Sequence, residues 1–91
     1  MTSRDYDRVA IFKALGDVTR LRIFTMLSDT ELCACKILEE FQITQPTLSY
    51  HMKVLTDCGL VIGIRDGAWM KYSLNPDALR SVKQMFEACE R

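Results

Sequence analysis

Cys33 and Cys35 are the residues of this chain whose type and spacing best suit the binding of a soft ion. Thiolate sulfur selects thiophilic ions, and here two thiols fall within three positions. The two other cysteines, Cys58 and Cys89, lie much further along the chain. The alternative interpretation of Cys33 and Cys35 is that they are small buried apolar residues with no ligand. The sequence predicts a ligand site here and leaves that alternative open.

The predicted third helix, from about Leu32 to Phe41, contains both cysteines, and residues 28–31 form its predicted capping region. Residues i and i+2 of a regular helix point about 200° apart, because one turn holds ~3.6 residues. One ion bound by both thiols would therefore distort the first turn, unless that turn is already irregular. Because distortion of this helix would move the next one, we expect ligand binding to change the placement of the helix that follows.

Length and composition bound the kind of protein. Ninety-one residues are enough for a single domain, 1–91, with one modest core. The chain has no apolar run long enough to span a bilayer, and its N-terminus lacks the apolar region of a secretion signal. We therefore expect a cytoplasmic protein with no membrane partner and with reduced cysteines.

Two helices are predicted before the cysteine pair. The first spans about Asp5 to Leu15 and ends at Gly16, and Asp17 can cap the second. Their predicted apolar sides carry Tyr6, Val9 and Phe12 in the first helix and Leu21, Phe24 and Leu27 in the second.

A longer helix is predicted from Thr44, its N-cap, to Asp57, after a tight turn over residues 42–44. Pro46 is tolerated in its first turn, and Gly59 stops it. One side of this helix is apolar and is expected to pack on the core: Leu48, Met52 and Leu55.

The opposite side of this helix is small, polar and free of acids, and residues 41–56 contain no Asp or Glu. Carboxylates on such a face would repel phosphates, whereas hydroxyls and amides can reach base edges. The net charge of zero gives no support for nucleic-acid binding, but a neutral chain can still present one acid-free face. The pattern therefore predicts a DNA-recognition helix, although a plain solvated face is the general alternative.

After Gly59 the sequence pattern changes from the helical period to β-prone runs. Two β-prone runs, Leu60 to Arg65 and Ala68 to Leu74, flank Asp66-Gly67, a dipeptide suited to a type I′ hairpin turn. Asn75-Pro76 then begins a last helix. One side of that helix is apolar and suits a partner surface: Leu79, Val82, Met85, Phe86 and Cys89. The order helix-helix-helix-helix-hairpin-helix predicts a mainly α winged helix-turn-helix, and the apolar side of the last helix fits a dimer.

Candidate DNA contacts follow from this layout. The N-terminal end of a recognition helix leads into the major groove, so the candidates for base contact are Gln45, Thr47, Ser49 and Tyr50. Lys53 and, from the wing, Arg65 and Lys71 are candidates for phosphate contact. His51 lies at the margin of the apolar side, so a DNA contact and a hydrogen-bonded structural role both stay open.

The segment from Ala14 to Leu74 resembles the arsenic-repressor (ArsR/SmtB) family of bacterial metal-responsive repressors. The resemblance lies in four pieces, which are ALGDVTRLRI from Ala14, ELCAC from Glu31, QPTLSYHMKVL from Gln45 and DGAWMKYSL from Asp66. It implies a homodimer, joined through the first and last helices, that represses transcription from operator DNA and is released by an inducer.

The resemblance also implies an inducer. Arsenic-responsive members of the family carry a Glu-Leu-Cys-x-Cys motif, which corresponds here to Cys33 and Cys35, and trivalent arsenic or antimony prefers three sulfurs. Such members have a third cysteine one turn later, where this chain has Leu38, and an acid is more usual where Lys36 stands. A third thiolate would have to come from Cys58, which we favour, from Cys89, from another molecule or from a small thiol.

Other signals and other classes remain as alternatives. The same thiols could sense cadmium or lead, or could be oxidised, whereas zinc sensing at the last helix lacks histidine ligands there. An oxidoreductase is disfavoured because the spacing is Cys-x-Cys and no βαβ pattern surrounds it. A thiol metal carrier would leave the recognition helix and the wing unexplained. No catalytic constellation is present, so an enzyme is not predicted.

Overall fold

A computed structural model describes residues 2–90. Five helices and three strands follow one another in the order α1 Ser3–Leu15, α2 Val18–Leu27, β1 Leu32–Cys33, α3 Ala34–Leu38, α4 Gln45–Asp57, β2 Val61–Asp66, β3 Trp69–Leu74 and α5 Pro76–Cys89. The three strands form one antiparallel sheet in the order β1-β3-β2. This is a winged helix-turn-helix, with α3 and α4 as the helix pair and β2-β3 as the wing. Within the described residues, no helix is both long and apolar enough to cross a membrane.

Local capping fixes the helix boundaries. The Asp17 carboxylate accepts the backbone N–H of Arg20 and starts α2, as predicted. The Thr44 hydroxyl accepts the backbone N–H of Thr47 and starts α4, also as predicted. Asn75 caps α5 through the N–H of Asp77.

The core lies between the helices and the inner face of the sheet. The predicted inward residues of α4, Leu48, Met52 and Leu55, are all buried. They pack with buried apolar side chains from other elements: Ile11, Ala14, Ile23, Leu27, Ile37, Leu60 and Val61. The apolar side predicted for α1 is not its core side, because Tyr6, Val9 and Phe12 stay exposed.

The prediction of a helix from Leu32 to Phe41 is wrong at its start. Leu32 and Cys33 form strand β1, in which they pair with Tyr72 and Lys71 of β3, and α3 spans only Ala34–Leu38. The predicted capping region at 28–31 does not cap it, since Cys33 occupies the N-cap position without a side-chain cap. Pairing with a distant strand outweighs the local signal here.

The hairpin turn is shifted by one residue from the prediction. Asp66 pairs with Trp69, so the two loop residues are Gly67 and Ala68. Gly67 has φ +63°, and no residue other than glycine has a positive φ in the described chain. A positive φ at the first loop position alone matches a type II′ turn rather than type I′.

Candidate DNA interface and thiol site

The thiol groups of Cys33 and Cys35 meet at the junction between β1 and α3. Cys33 has an extended backbone, φ −78° and ψ 157°, while Cys35 lies in the first turn of α3. Their Sγ atoms are 2.6 Å apart. The predicted 200° divergence is therefore wrong for this pair, because it assumed that both residues are helical. Both thiols can contact one atom without unwinding the helix.

The contact between the two thiols shifts their pKa values in opposite directions. The hydrogen bond from Cys35 lowers the pKa of Cys33, and the backbone N–H of Lys36 lowers it further. The same bond raises the pKa of Cys35. The first proton therefore leaves Cys33, and the resulting thiolate is held by the neighbouring S–H. A thiolate is the form that attacks or binds soft ligands.

Cys33 is also linked to the wing. Its backbone pairs with Lys71 of β3, whose ammonium lies 3.1 Å from the Asp66 carboxylate near the hairpin turn. The bond with Asp66 raises the pKa of Lys71, and the nearby charges of Glu31 and Cys33 act in the same direction. The thiol pair therefore lies in contact with two elements, the wing through β1 and the helix-turn-helix through α3.

No third ligand joins this pair within the described part of the chain, where no group of three His, Cys, Asp or Glu residues could hold a metal ion. Cys58 is the C-cap of α4, and its thiol donates to the Leu55 carbonyl at 3.2 Å. Gln45 and Cys35 line one groove near the start of α4, so Cys58 lies about 20 Å further along that helix. Cys89 is the exposed last residue of α5. Neither matches the predicted role of third thiolate within one chain.

The outer face of α4 is exposed and carries no acid until Asp57. The predicted DNA contacts on this helix are all exposed except His51: Gln45, Thr47, Ser49, Tyr50 and Lys53. Lys53 is 3.2 Å from Asp57, one turn later, and both side chains are well exposed. Such a surface pair is worth about 0–1 kcal/mol, so the ammonium can leave it for a phosphate at little cost.

His51 is held from inside the fold. Its side chain is 12% exposed, and its Nδ1 lies 3.0 Å from Nη1 of Arg20 and 3.9 Å from the Asp17 carboxylate. Since a guanidinium can only donate, Nδ1 is the acceptor and the ring proton is on Nε2. The Nε of Arg20 donates to the Ala14 carbonyl at 2.6 Å. These contacts support the structural role of His51. Arg20 could not be predicted as its partner from the sequence, because 31 residues separate the two.

The wing carries the two other predicted phosphate contacts. Arg65 is exposed in β2, and Lys71 is partly exposed in β3. Arg65 also lines a groove of about 510 Å³ that separates the wing from the start of α4. Gln45 and Ser49 lie on the α4 side of that groove. The structure thus brings two predicted contacts of the helix and one of the wing to the two sides of one groove.

A second exposed surface lies on α1 and α5. The rings of Phe12 and Phe86 meet edge to face, with centroids 6.1 Å apart, yet both stay substantially exposed. Arg8 donates to the Ser81 carbonyl at 2.8 Å and fixes the two helices together. None of the described residues of α5 is fully buried, although the helix is strongly amphipathic. Of the apolar stripe predicted on this helix, Leu79 and Val82 pack against the core, whereas Phe86 and Cys89 stay exposed.

Comparison with known proteins decides the family. The model of the family described as "Bacterial regulatory protein, arsR family" matches residues 17–62, which run from the cap of α2 into β2. The chain belongs to the arsR family of bacterial regulatory proteins. The resemblance drawn from the sequence is confirmed, and the family is one of transcriptional regulators rather than enzymes.

Individual relatives agree with this assignment. The arsenical resistance operon repressor of Staphylococcus xylosus is 49% identical over 74 residues, which cover 81% of this chain and 71% of that protein. An uncharacterised HTH-type transcriptional regulator of Methanocaldococcus jannaschii is 36% identical and covers 90% of this chain and 94% of its own length. A crystal structure of a possible transcriptional regulator for arsenical resistance superposes on this chain with a TM-score of 0.75 and 28% identity. The match covers 84% of this chain and 79% of that one.

Proposed function

We propose that this chain is a homodimeric transcriptional repressor that binds operator DNA and releases it when arsenite or antimonite binds Cys33 and Cys35. The observation that carries the proposal is the 2.6 Å separation of the two thiols at the junction between the wing sheet and the helix before α4. The wing pairs with β1 at that junction, and α4 is the next helix after α3 along the chain. The names of the arsenical resistance repressors among its relatives agree with the chemistry of the pair.

DNA docking is supported by the acid-free face of α4. Gln45, Thr47, Ser49 and Tyr50 would enter the major groove, since the N-terminal part of a recognition helix leads. Lys53 on the helix, with Arg65 and Lys71 on the wing, would contact phosphates on either side.

Release of the operator is supported by the position of the two thiols between β1 and α3. A ligand that bridges Cys33 and Cys35 would fix the angle between β1 and α3. Ile37 of α3 is fully buried in the core, so α3 cannot rotate without moving its neighbours. A change at the bridge therefore shifts the recognition helix relative to the wing. Operator affinity falls only to the extent that the bridged geometry fits DNA less well than the free one.

Dimerisation is supported by the stripe on α1 and α5. Phe12 and Phe86, with the aliphatic residues beside them, form an apolar surface that is exposed to water. An isologous pairing of this stripe with its own copy would bury it and give a two-fold dimer. Half-site centres would then lie one helical turn of DNA apart, or a multiple of it.

The test is a titration of the protein–operator complex with arsenite, followed by fluorescence anisotropy of labelled DNA. We expect the unmodified protein to release DNA, and the Cys33→Ser and Cys35→Ser variants to bind the operator normally but no longer release it. Cys58→Ser and Cys89→Ser are matched controls that should respond like the parent. Loss of operator binding in the Cys33 and Cys35 variants would make the pair structural and would contradict the proposal.

Further arms of the same titration separate the alternative signals. Cadmium and lead salts compete for soft ligands, and hydrogen peroxide would convert the two thiols to a disulfide with formation of water. Release by only one of these agents would replace arsenite as the inducer while keeping the thiol pair as the switch.

A further inference from the structure

Gly63 of β2 leaves a space that the ring of Tyr72 fills. The two residues lie directly opposite each other in β2 and β3. A Cβ atom on Gly63 would lie 2.9 Å from Cε1 of Tyr72 and 3.2 Å from Cε of Met70, whereas carbon atoms pack best at about 3.5–4.0 Å. In the described chain only Gly59 and Gly67 have a positive φ, so Gly63 is not needed for the backbone conformation. The glycine is needed because the ring approaches the strand so closely.

The ring of Tyr72 lies on the face of the wing sheet that is turned towards α4. Cross-strand partners share a face of a sheet, and the next pair on this face, Val61 and Leu74, packs in the core. Arg65 follows Gly63 by two positions and therefore belongs to the same face. Burial raises the pKa of Tyr72, and the nearby charge of Arg65 acts in the opposite direction. The ring is therefore partly buried beside a side chain that is proposed to contact phosphate.

Two grooves flank the place where the wing meets α4. One, of about 510 Å³, lies near the start of the helix, and the other, of about 310 Å³, lies nearer its end. Met70 and Tyr72 of the wing line both grooves, and so do Ser49 and Met52 of α4. Since side chains that border both grooves lie between them, these four residues form the contact between wing and helix. Met52 is buried, so the core holds this contact on the helix side.

We propose that Tyr72 is a positioning residue that rests on Gly63 and sets the spacing between the recognition helix and the wing, so that both contact one operator. Without the ring, the wing can change its angle to α4, and Arg65 and Lys71 lose their phosphates. The recognition helix keeps its place, because its own buried side chains hold it in the core. This inference rests on the proposed function, since it concerns how the same protein holds operator DNA.

The test measures operator affinity by fluorescence anisotropy at several salt concentrations. Tyr72→Ala should weaken binding about tenfold and reduce the magnitude of the slope of log K against log salt by about 1–2, because each of the two wing phosphate contacts accounts for about 0.9. A residue with a merely structural role would lower the Tm without changing that slope. Tyr72→Phe, the conservative variant, keeps the ring and should restore the parent slope. Ile64→Ala truncates an exposed side chain on the opposite face of the hairpin and is the matched control.

Gly63→Ala tests the same contact from the neighbouring strand. Glycine weakens a strand relative to alanine, so the variant should keep or raise the parent Tm and the parent affinity if the space has no role. If the ring rests on Gly63, the added Cβ displaces it, and operator affinity should fall about tenfold, with a smaller salt slope. Adding Gly63→Ala to Tyr72→Ala should then cause no further loss, because the new Cβ meets no ring.

Trp69 reports on the wing directly, because it is the single tryptophan of the chain and the first residue of β3. We expect its fluorescence to change when the parent protein is saturated with unlabelled operator. In Tyr72→Ala, also at saturation, that change should be smaller, since the helix still binds DNA while the wing does not.

The outcomes separate this inference from the proposed function. An unchanged salt slope and an unchanged Trp69 response in folded Tyr72→Ala would overturn the positioning role and leave the proposed function intact. Parent affinity in Gly63→Ala would overturn it as well, and this variant decides the matter if Tyr72→Ala does not fold. Failure of the parent protein to bind any operator DNA would overturn both.

Discussion

Replacement of His51 by alanine should lower stability while leaving in place the face of α4 that is proposed to contact DNA. The substitution removes the acceptor for Nη1 of Arg20, 3.0 Å away, at a side chain that is 12% exposed. A hydrogen bond to a charged group is worth about 1.5–3 kcal/mol, so we expect the free energy of unfolding to fall by about 2 kcal/mol. In a domain of this size that corresponds to a decrease in Tm of about 10 °C.

Two further variants make the measurement specific. His51→Gln keeps a side-chain acceptor near Arg20 and should recover part of the loss. Tyr50→Ala truncates the exposed neighbouring ring, and its effect on unfolding should stay below about 1 kcal/mol. Thermal unfolding is followed by circular dichroism at one protein concentration, because association makes Tm depend on concentration.

For operator affinity we expect the opposite order, with a larger effect of Tyr50→Ala than of His51→Ala. Tyr50→Ala should weaken binding by about 1 kcal/mol or more if the ring contacts a base. Folded His51→Ala should lose less affinity, and to a similar extent for every operator sequence. The reasoning would be refuted if His51→Ala kept the parent Tm and lost affinity at one base pair, since His51 would then be a DNA contact.

Two other predictions concern charge and thiol chemistry. Lys53→Ala should weaken binding to all DNA sequences and reduce the magnitude of the slope of log K against log salt by about 0.9. Stability should be almost unchanged, because the pair with Asp57 is exposed. A loss of affinity at one base position would make Lys53 a base contact instead. Cys35→Ala should shift the alkylation of Cys33 by iodoacetamide to higher pH, because the hydrogen bond that lowers the pKa of Cys33 is lost. Peptide mass spectrometry measures that midpoint, and an unchanged midpoint would show that Cys35 does not stabilise the thiolate.

The recognition helix was predictable because its signals are local. Thr44 caps it, Pro46 fits its first turn, and Gly59, with φ +85°, ends the segment. The apolar residues Leu48 and Met52 fall on one side at helical spacing and are buried as expected. Every one of these features involves residues a few positions apart, so no knowledge of the tertiary structure was needed.

The start of α3 was not predictable in the same way. Leu32 and Cys33 are extended because they pair with Tyr72 and Lys71, about forty positions later. The local sequence carries no signal for that pairing, and a helix was the better local interpretation. The same limit applies to the contact between Arg20 and His51. The hairpin turn differed by only one residue, because Asp66-Gly67 and Gly67-Ala68 both offer glycine for the positive φ.

The extended backbone of Cys33, just before α3, is what allows the thiol pair to act as a switch. Two residues separated by one position bring their sulfurs together when the first is extended and the second helical, as Cys33 and Cys35 are. Such a pair necessarily spans the joint between two elements, here the wing sheet and α3. Linkage then imposes a condition on any inducer that acts there. If a bound arsenical lowers operator affinity by a given factor, operator DNA must lower the affinity of the arsenical by the same factor. Binding curves for the arsenical with and without operator therefore measure the coupling directly, and identical curves would exclude this joint as the route from ligand to DNA.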